Sequence, residues 1–331
     1  SRRTTLPLLL IAAAVFLLIG CQQDTGSTFS GPVEQITFGV VNIEASSLFY
    51  IADTLGMFRK NGLEVTVKEY PAGLLAADDL LKDKVDVATT AEFVVVTKHF
   101  LRKDLKILAS IVRADTHEVI GRIDRGITAP AHLLGKRIAL TRNTSADFFM
   151  ASFLSHQGIP AKAVTFVDLP PAAIPEAIAS GTVDAAMAWE PMVWKIKELL
   201  GPNAVNWPGQ SGQGFYLLLL TRDGFVTKRP RAVDRLLRGL LEAERYVSEH
   251  TPQAQEIISR RLGYSPTLLQ SLWPRCEFQV RLNQDLLTLM EDEAKWSLRN
   301  KNQTSGLPNY FNIMHLDSLE KIKSEAVGII H

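Results

Sequence analysis

Val85-Asp86-Val87-Ala88-Thr89-Thr90-Ala91-Glu92 and Val183-Asp184-Ala185-Ala186-Met187-Ala188-Trp189-Glu190 are two copies of one pattern, V-D-(V/A)-A-x-x-(A/W)-E. Working outward, their surroundings repeat as well. Upstream of the first stand Asn61-Gly62, a strand-like run at 63–67 and an Ala/Leu-rich helix at 74–81. Upstream of the second stand Gln157-Gly158, a strand-like run at 164–167 and a helix at 174–179. A repeated βαβαβ unit of this length predicts two similar α/β lobes rather than one long sheet. Two lobes imply a cleft, and a cleft implies a ligand.

The first twenty residues read as an export signal. Arg2 and Arg3 precede an apolar stretch at 6–19, the n-region and h-region of a leader. That stretch is shorter than the ~20 apolar residues a stable span needs. It ends in Leu18-Ile19-Gly20-Cys21, which has the form of a bacterial lipobox, with Cys21 as the lipidated residue. An uncleaved signal anchor is the alternative; the small Gly20 and the polar Gln22-Gln23-Asp24 speak against it. Acyl chains contribute about 0.8 kcal/mol per buried CH₂, so two or more hold a protein to a membrane durably. Residues 21–32 then form a flexible tether.

Beyond the leader, the composition is that of a soluble body. The 331 residues allow about two domains, and 46% hydrophobic content suffices for two cores. Lys+Arg 36 against Asp+Glu 35 leaves no basic excess, so nucleic acid is not an expected partner. With Cys21 given to lipid, Cys276 stands alone and no intramolecular disulfide forms. No metal-binding Cys/His cluster, serine elbow or phosphate loop is present, so neither metal, cofactor nor catalysis is expected. The expected assembly is a monomer.

Lobe 1 is predicted at 33–125, with 213–331 returning to it, and lobe 2 at 126–212. Strand-like runs at 36–41, 63–67, 86–89, 106–111 and 118–123 belong to the first unit in this reading, with helices at 48–60, 74–81 and 93–101. The second unit restarts at Gly135-Lys136-Arg137-Ile138-Ala139-Leu140, and the strand at 214–220 carries the chain back. Helices follow at 231–250, 252–262, 266–273, 283–299 and 318–327.

Ligands of open α/β sheets bind at the carboxyl ends of strands, beside helix N-termini. Two polar turns occupy such ends: one with Asn42, Glu44, Ser46 and Ser47, the other with Arg142, Asn143, Thr144 and Ser145. Both offer N–H groups and hydroxyls at the positive pole of a helix, which suits a sulfonate, carboxylate or nitrate. Plain N-capping explains the same residues without a ligand. Thr90, Glu92, Trp189 and Glu190 close the two repeats. Glu92 and Glu190 are either helix-start carboxylates or a pair facing an amine across the cleft. Trp189, with Phe49 or Tyr50, offers a stacking surface. Arg142 is the candidate partner for an anion, and Asp86 and Asp184 read as structural.

The ordered set Tyr50-Ile51-Ala52-(x)₃-Gly56-Met57-Phe58, Asn61-Gly62-Leu63-Glu64-Val65, Val85-Asp86-Val87-Ala88, Leu134-Gly135-Lys136-Arg137-Ile138-Ala139, Gly181-Thr182-Val183-Asp184-Ala185 and Trp189-Glu190-Pro191 resembles substrate-binding proteins of ATP-binding-cassette importers. The group is the nitrate/sulfonate/taurine one, related to thiamine-pyrimidine synthases. The resemblance implies an α/β, type II periplasmic-binding-protein fold in which two lobes close on a small ligand. It also implies an exported lipoprotein facing the periplasm or exterior, serving a membrane permease and its ATPase. A ligand-sensing lipoprotein and a pyrimidine-synthase-like enzyme are the alternatives; the enzymes' cysteine-rich segment and reactive histidine have no evident counterpart here. Two glutamates favour an amine-bearing ligand, zwitterionic taurine-like molecules included.

Overall fold

A computed structural model describes Phe29 and residues 31–300 and 306–330. The leader and Cys21 lie outside the described residues. β1 (Glu34–Val41) is followed by α1 (Ser47–Thr54) and α2 (Met57–Lys60). The single helix predicted at 48–60 breaks at Gly56, whose φ of 67° is left-handed and comes without steric cost only to glycine. Then come β2 (Leu63–Tyr70), α3 (Gly73–Leu81), β3 (Val87–Ala91), α4 (Glu92–His99) and β4 (Leu105–Ala114).

The next strand, β5 (His117–Arg122), leaves this sheet altogether. It is followed by β6 (Arg137–Leu140), α5 (Ser145–His156), β7 (Thr165–Asp168), α6 (Ile174–Ala179), β8 (Ala185–Trp189), α7 (Met192–Leu200) and β9 (Ala204–Pro208). β10 (Phe215–Arg222) runs back into the first sheet. The remainder is mainly helical: α8 (Asp223–Lys228), α9 (Pro230–Glu249), α10 (Thr251–Leu262), α11 (Pro266–Leu272), the short strands β11 (Cys276–Glu277) and β12 (Leu282–Asn283), α12 (Gln284–Asn300), α13 (Leu316–Ile322) and β13 (Val327–Gly328). α9 packs on α1 and α2, and α12 packs on α4.

The two sheets have the same plan. The first runs β11-β4-β10-β3-β1-β2 and the second β7-β6-β8-β5-β9. β1, β2 and β3 are parallel, as are β6, β7 and β8. Each trio then takes one antiparallel strand from the other half of the chain: β10 in the first sheet, β5 in the second. This corrects the expectation that 118–123 belong to lobe 1 and that the first crossover lies near 124–126. The sheet changes at Asp115-Thr116, between β4 and β5. Apolar patterning shows that β5 is a buried strand but carries no information about which sheet buries it.

Asp86 and Asp184 hold equivalent joints. Thr37 N–H donates to Asp86 Oδ2 at 2.8 Å, and Asp86 N–H returns a bond to Thr37 O. Arg137 N–H donates to Asp184 Oδ2 at 2.9 Å, and Asp184 N–H bonds Arg137 O. Each aspartate thus fastens the third strand of its lobe to the first. Phe38, Phe49 and Phe58 pack beside the first joint, Phe38 and Phe49 stacked at 4.2 Å. Burying each such ring is worth roughly 1.5–3 kcal/mol.

Candidate ligand-binding cleft

A narrow cleft lies between the two larger sheets. Lobe 1 lines it with the end of β1 (Val41, Ile43), the start of α3 (Ala72, Gly73, Leu74) and the start of α4 (Ala91, Val94). The second sheet and α5 supply Thr116, His117, Thr144, Ser145 and Trp189, and β10 adds Phe215 and Leu217. No aspartate, glutamate, lysine or arginine is among them.

Three of these residues are helix N-caps. Ala72 precedes α3, Ala91 precedes α4 and Thr144 precedes α5, and none supplies a side-chain cap. Thr144 has a suitable oxygen but turns it backward, donating to Thr141 O at 2.7 Å. Alanine in place of a capping residue typically costs about 0.5–2 kcal/mol of helix stability. The first N–H groups of a helix have no intrahelical partners and carry its positive pole. α3 and α5 therefore aim uncapped N-termini at the cleft from opposite lobes.

His117 forms the apolar wall. Its ring centre is 5.1 Å from that of Phe149, 5.7 Å from Trp189 and 5.2 Å from Phe215. Burial pushes its pKa down to about 3, which nearby Gln210 offsets only in part, so the ring is neutral. Its Nδ1 is buried with no hydrogen-bond partner among the described residues.

The structure places the sequence-predicted residues differently. Thr144, Ser145 and Trp189 line the cleft. Asn42, Ser46 and Ser47 are occupied locally: Asn42 Oδ1 accepts from Tyr50, Ser46 donates to Val41 O, and Ser47 donates to Glu44 O. Ser46 stands at the N-cap of α1, as the sequence suggests, but its side chain makes no capping bond. Thr90 is buried behind the lining, its Oγ1 without a partner, close against Gly73. Arg142 is not in the cleft lining; it pairs with Asp147 at 2.6 Å and lies over the Phe166 ring. Its neighbour Asn143 has φ 60°, and its N–H bonds Asp147.

The glutamates are likewise committed within the protein. Glu190 accepts from Trp194 N–H at 2.9 Å, which caps α7, and lies 3.6 Å from Arg275. Burial pushes its pKa up to about 7. Glu44 accepts from Tyr264 at 3.3 Å, and burial pushes it up to about 8, with Glu190 adding like-charge repulsion. Glu92 accepts from Ser145 Oγ at 3.0 Å and from Tyr216 N–H at 2.8 Å. An amine in the cleft would meet none of these carboxylates in the lining.

Sequence reasoning missed His117, Gly73 and Phe215. The Pro71-Ala72-Gly73 turn at the end of β2 is the one signal that could have found the α3 terminus. Nothing local marks His117.

Two lobes with exchanged strands around a cleft define the periplasmic-binding-protein fold. The profile of the family described as NMT1/THI5 like matches residues 45–254, and the chain belongs to that family. A Bacillus subtilis (strain 168) protein provisionally named for binding aliphatic sulfonates is 24% identical over 304 residues, 89% of this chain and 90% of its own. The taurine-binding periplasmic protein of Escherichia coli K12 is 29% identical over 126 residues, 37% of this chain and 38% of its own. Among solved structures, the alkanesulfonate-binding protein SsuA from Xanthomonas axonopodis pv. citri, bound to MOPS, superposes with a TM-score of 0.73 at 19% identity, covering 86% of this chain and 99% of SsuA. The desulfurization enzyme DSZB shares the fold at a TM-score of 0.63 and 17% identity, covering 88% and 100%. The sequence relatives are binding proteins, not enzymes.

Proposed function

We propose that this protein is an extracytoplasmic solute-binding component of an ATP-binding-cassette importer, closing its lobes on a small organic anion and presenting it to a permease. The observation that carries the reading is the pair of uncapped N-termini, α3 from one lobe and α5 from the other, facing one charge-free cleft. An anionic head between them collects N–H groups from both lobes, so binding and closure become one event. The His117–Trp189–Phe215 wall takes an apolar body. A sulfonate with a hydrocarbon tail has both parts, and relatives named for sulfonates support the choice. The amine-bearing alternative loses ground because Glu92 and Glu190 have protein partners. Export and attachment through Cys21 complete the proposal; among the described residues no helix is long and apolar enough to cross a membrane.

The test is calorimetric titration with hexanesulfonate, hexylamine and taurine. Hexanesulfonate should bind at least tenfold more tightly than taurine, and hexylamine not at all. Preference for the amine or for taurine would overturn the ligand class.

A further inference from the structure

Behind the cleft, between α4 and α12, two carboxyl groups are buried together. Glu92 and Glu293 are both 0% exposed. Glu92 Oε1 accepts from Ser145 Oγ, which belongs to the opposite lobe, and Oε2 accepts from Tyr216 N–H on the returning strand β10. Glu293 presents the reverse problem. Among the described residues neither of its oxygens receives a hydrogen bond from a donor, yet it lies within hydrogen-bonding reach of Glu92. Two ionised carboxylates are acceptors only and cannot bond each other. One proton between them resolves both difficulties: Glu293 becomes a donor, and Glu92 keeps its negative charge for Ser145 and Tyr216.

We propose that Glu293 is a positioning residue for lobe closure: as a protonated carboxyl it donates to Glu92 and holds Glu92 in the pose that receives Ser145 from the other lobe. Glu293 touches neither the cleft nor the ligand; it acts through Glu92 alone. The proposal rests on the closing-lobe reading above but not on the ligand class.

The surroundings favour the shared proton. Burial first, and the mutual repulsion of the pair second, raise the pKa of Glu293, with Asp292 on the same helix adding to it. Burial likewise raises Glu92, against the pull of its hydrogen bonds. On the packed elements, Tyr310 stays neutral, and burial lowers the pKa of His99, which packs on Tyr310. Among the described residues no lysine or arginine acts on Glu293. Opening the lobes admits water and so relieves the burial that chiefly raises the pair, which lowers its affinity for the proton. The loss of Ser145, whose hydrogen bond favours ionised Glu92, is the smaller, opposing effect. Closure therefore takes up a proton. It is favoured at low pH and weakens as pH rises through the closed-state value.

The experiment needs no ligand. Spin labels at Lys60 on lobe 1 and Lys162 on lobe 2, both distant from the pair in sequence, report the interlobe distance between pH ~5 and ~9. In the ligand-free protein the closed-to-open ratio should fall with pH, by up to about tenfold per unit where one full proton is linked. Infrared spectra should show the C=O stretch of a buried carboxylic acid. Glu293→Gln, whose amide donates at every pH, should lose that band and flatten the distance profile. Ser145→Ala should open the lobes at all pH values and move the loss of the band to lower pH. A wild-type protein without the band, a Glu293→Gln variant with the wild-type pH profile, or a Ser145→Ala variant as closed as wild type would each overturn the proposal. If Glu293→Gln does not fold, the wild-type band and the Ser145→Ala profile decide alone. Failure of hexanesulfonate binding with these results intact would fault the ligand class and leave the relay standing.

Discussion

Arg275 Nη1 lies 3.0 Å from Glu118 Oε1 and so ties the segment after α11 to strand β5 of the second sheet. The same guanidinium reaches Glu190 at 3.6 Å, and its Nε donates to Asp115 O at the sheet-changing point. One side chain therefore touches both lobes and the crossover between them. Buried carboxylates left without a cation are costly, about 3–5 kcal/mol where a pair is broken by removing one partner. Glu118 keeps Lys197 at 2.6 Å, and Arg275 is partly exposed, so the cost here is smaller. Arg275→Leu should lower unfolding stability by roughly 1–2 kcal/mol and widen the interlobe distance distribution. Urea melts and interlobe distance measurements check both.

The aspartates of the two repeats make a separate, purely structural prediction. Asp86→Asn and Asp184→Asn keep the side-chain shape but weaken the acceptor for Thr37 or Arg137 N–H. Each should cost about 1.5–3 kcal/mol of stability, the range for hydrogen bonds to charged groups, and leave affinity within a factor of about two. The Asp184 variant should lose more, because Arg137 also pairs with that carboxylate at 3.1 Å. Thermal melts beside titrations of the same two proteins test this.

The equivalence of these joints is why the fold was readable from the sequence. Val-Asp before a buried strand recurs because each lobe needs the same fastening, and the repeat reports the need. The strand exchange was not readable, since β5 and β10 are simply apolar runs and their sheet is chosen by long-range packing. The site was half readable. Polar turns at strand ends pointed to Thr144 and Ser145, but the hydroxyls of Ser46, Ser47 and Thr144 turn back onto loop carbonyls. The groups left facing the cleft are the backbone N–H groups after Ala72 and Thr144, and no residue type announces those.

Glu44 and Glu190 set a pH dependence of stability. Both are raised from an ordinary 4.5, to about 8 and about 7, chiefly by burial. A raised folded-state value means the fold prefers the protonated form. The contribution is complete below the unfolded value and is lost as pH rises through 7 to 8. Asp79 and Asp124, held below the usual range by Lys68 and Arg122, act in the opposite sense and only in more acid solution. Stability should therefore peak on the mildly acid side and decline toward pH 8. Glu44→Gln should flatten that decline, gaining on wild type by at most about 1.4 kcal/mol per pH unit. Melting temperatures across pH for the two proteins give the answer.

Gly73 offers the sharpest test of the α3 terminus. A Cβ built there would sit 2.8 Å from Thr90 Cα and 2.9 Å from Thr90 Oγ1. The nearest of these is backbone of β3, which cannot swing aside as a flexible side chain would. Gly73→Ala must therefore push the first turn of α3 away from β3 and re-aim its N–H groups. In a helix interior Gly→Ala typically gains about 0.5–1 kcal/mol, and at this first-turn position the clash opposes that gain. Global stability should consequently change little, while binding of hexanesulfonate should weaken at least tenfold, about 1.4 kcal/mol. Ala72→Ser probes the same terminus without a clash. A hydroxyl at the N-cap would bond the N–H groups otherwise offered to the anion, so the variant should be more stable by about 0.5–2 kcal/mol and bind less well. The two substitutions move stability differently and affinity in the same direction. Unchanged affinity in both would remove α3 from the binding site.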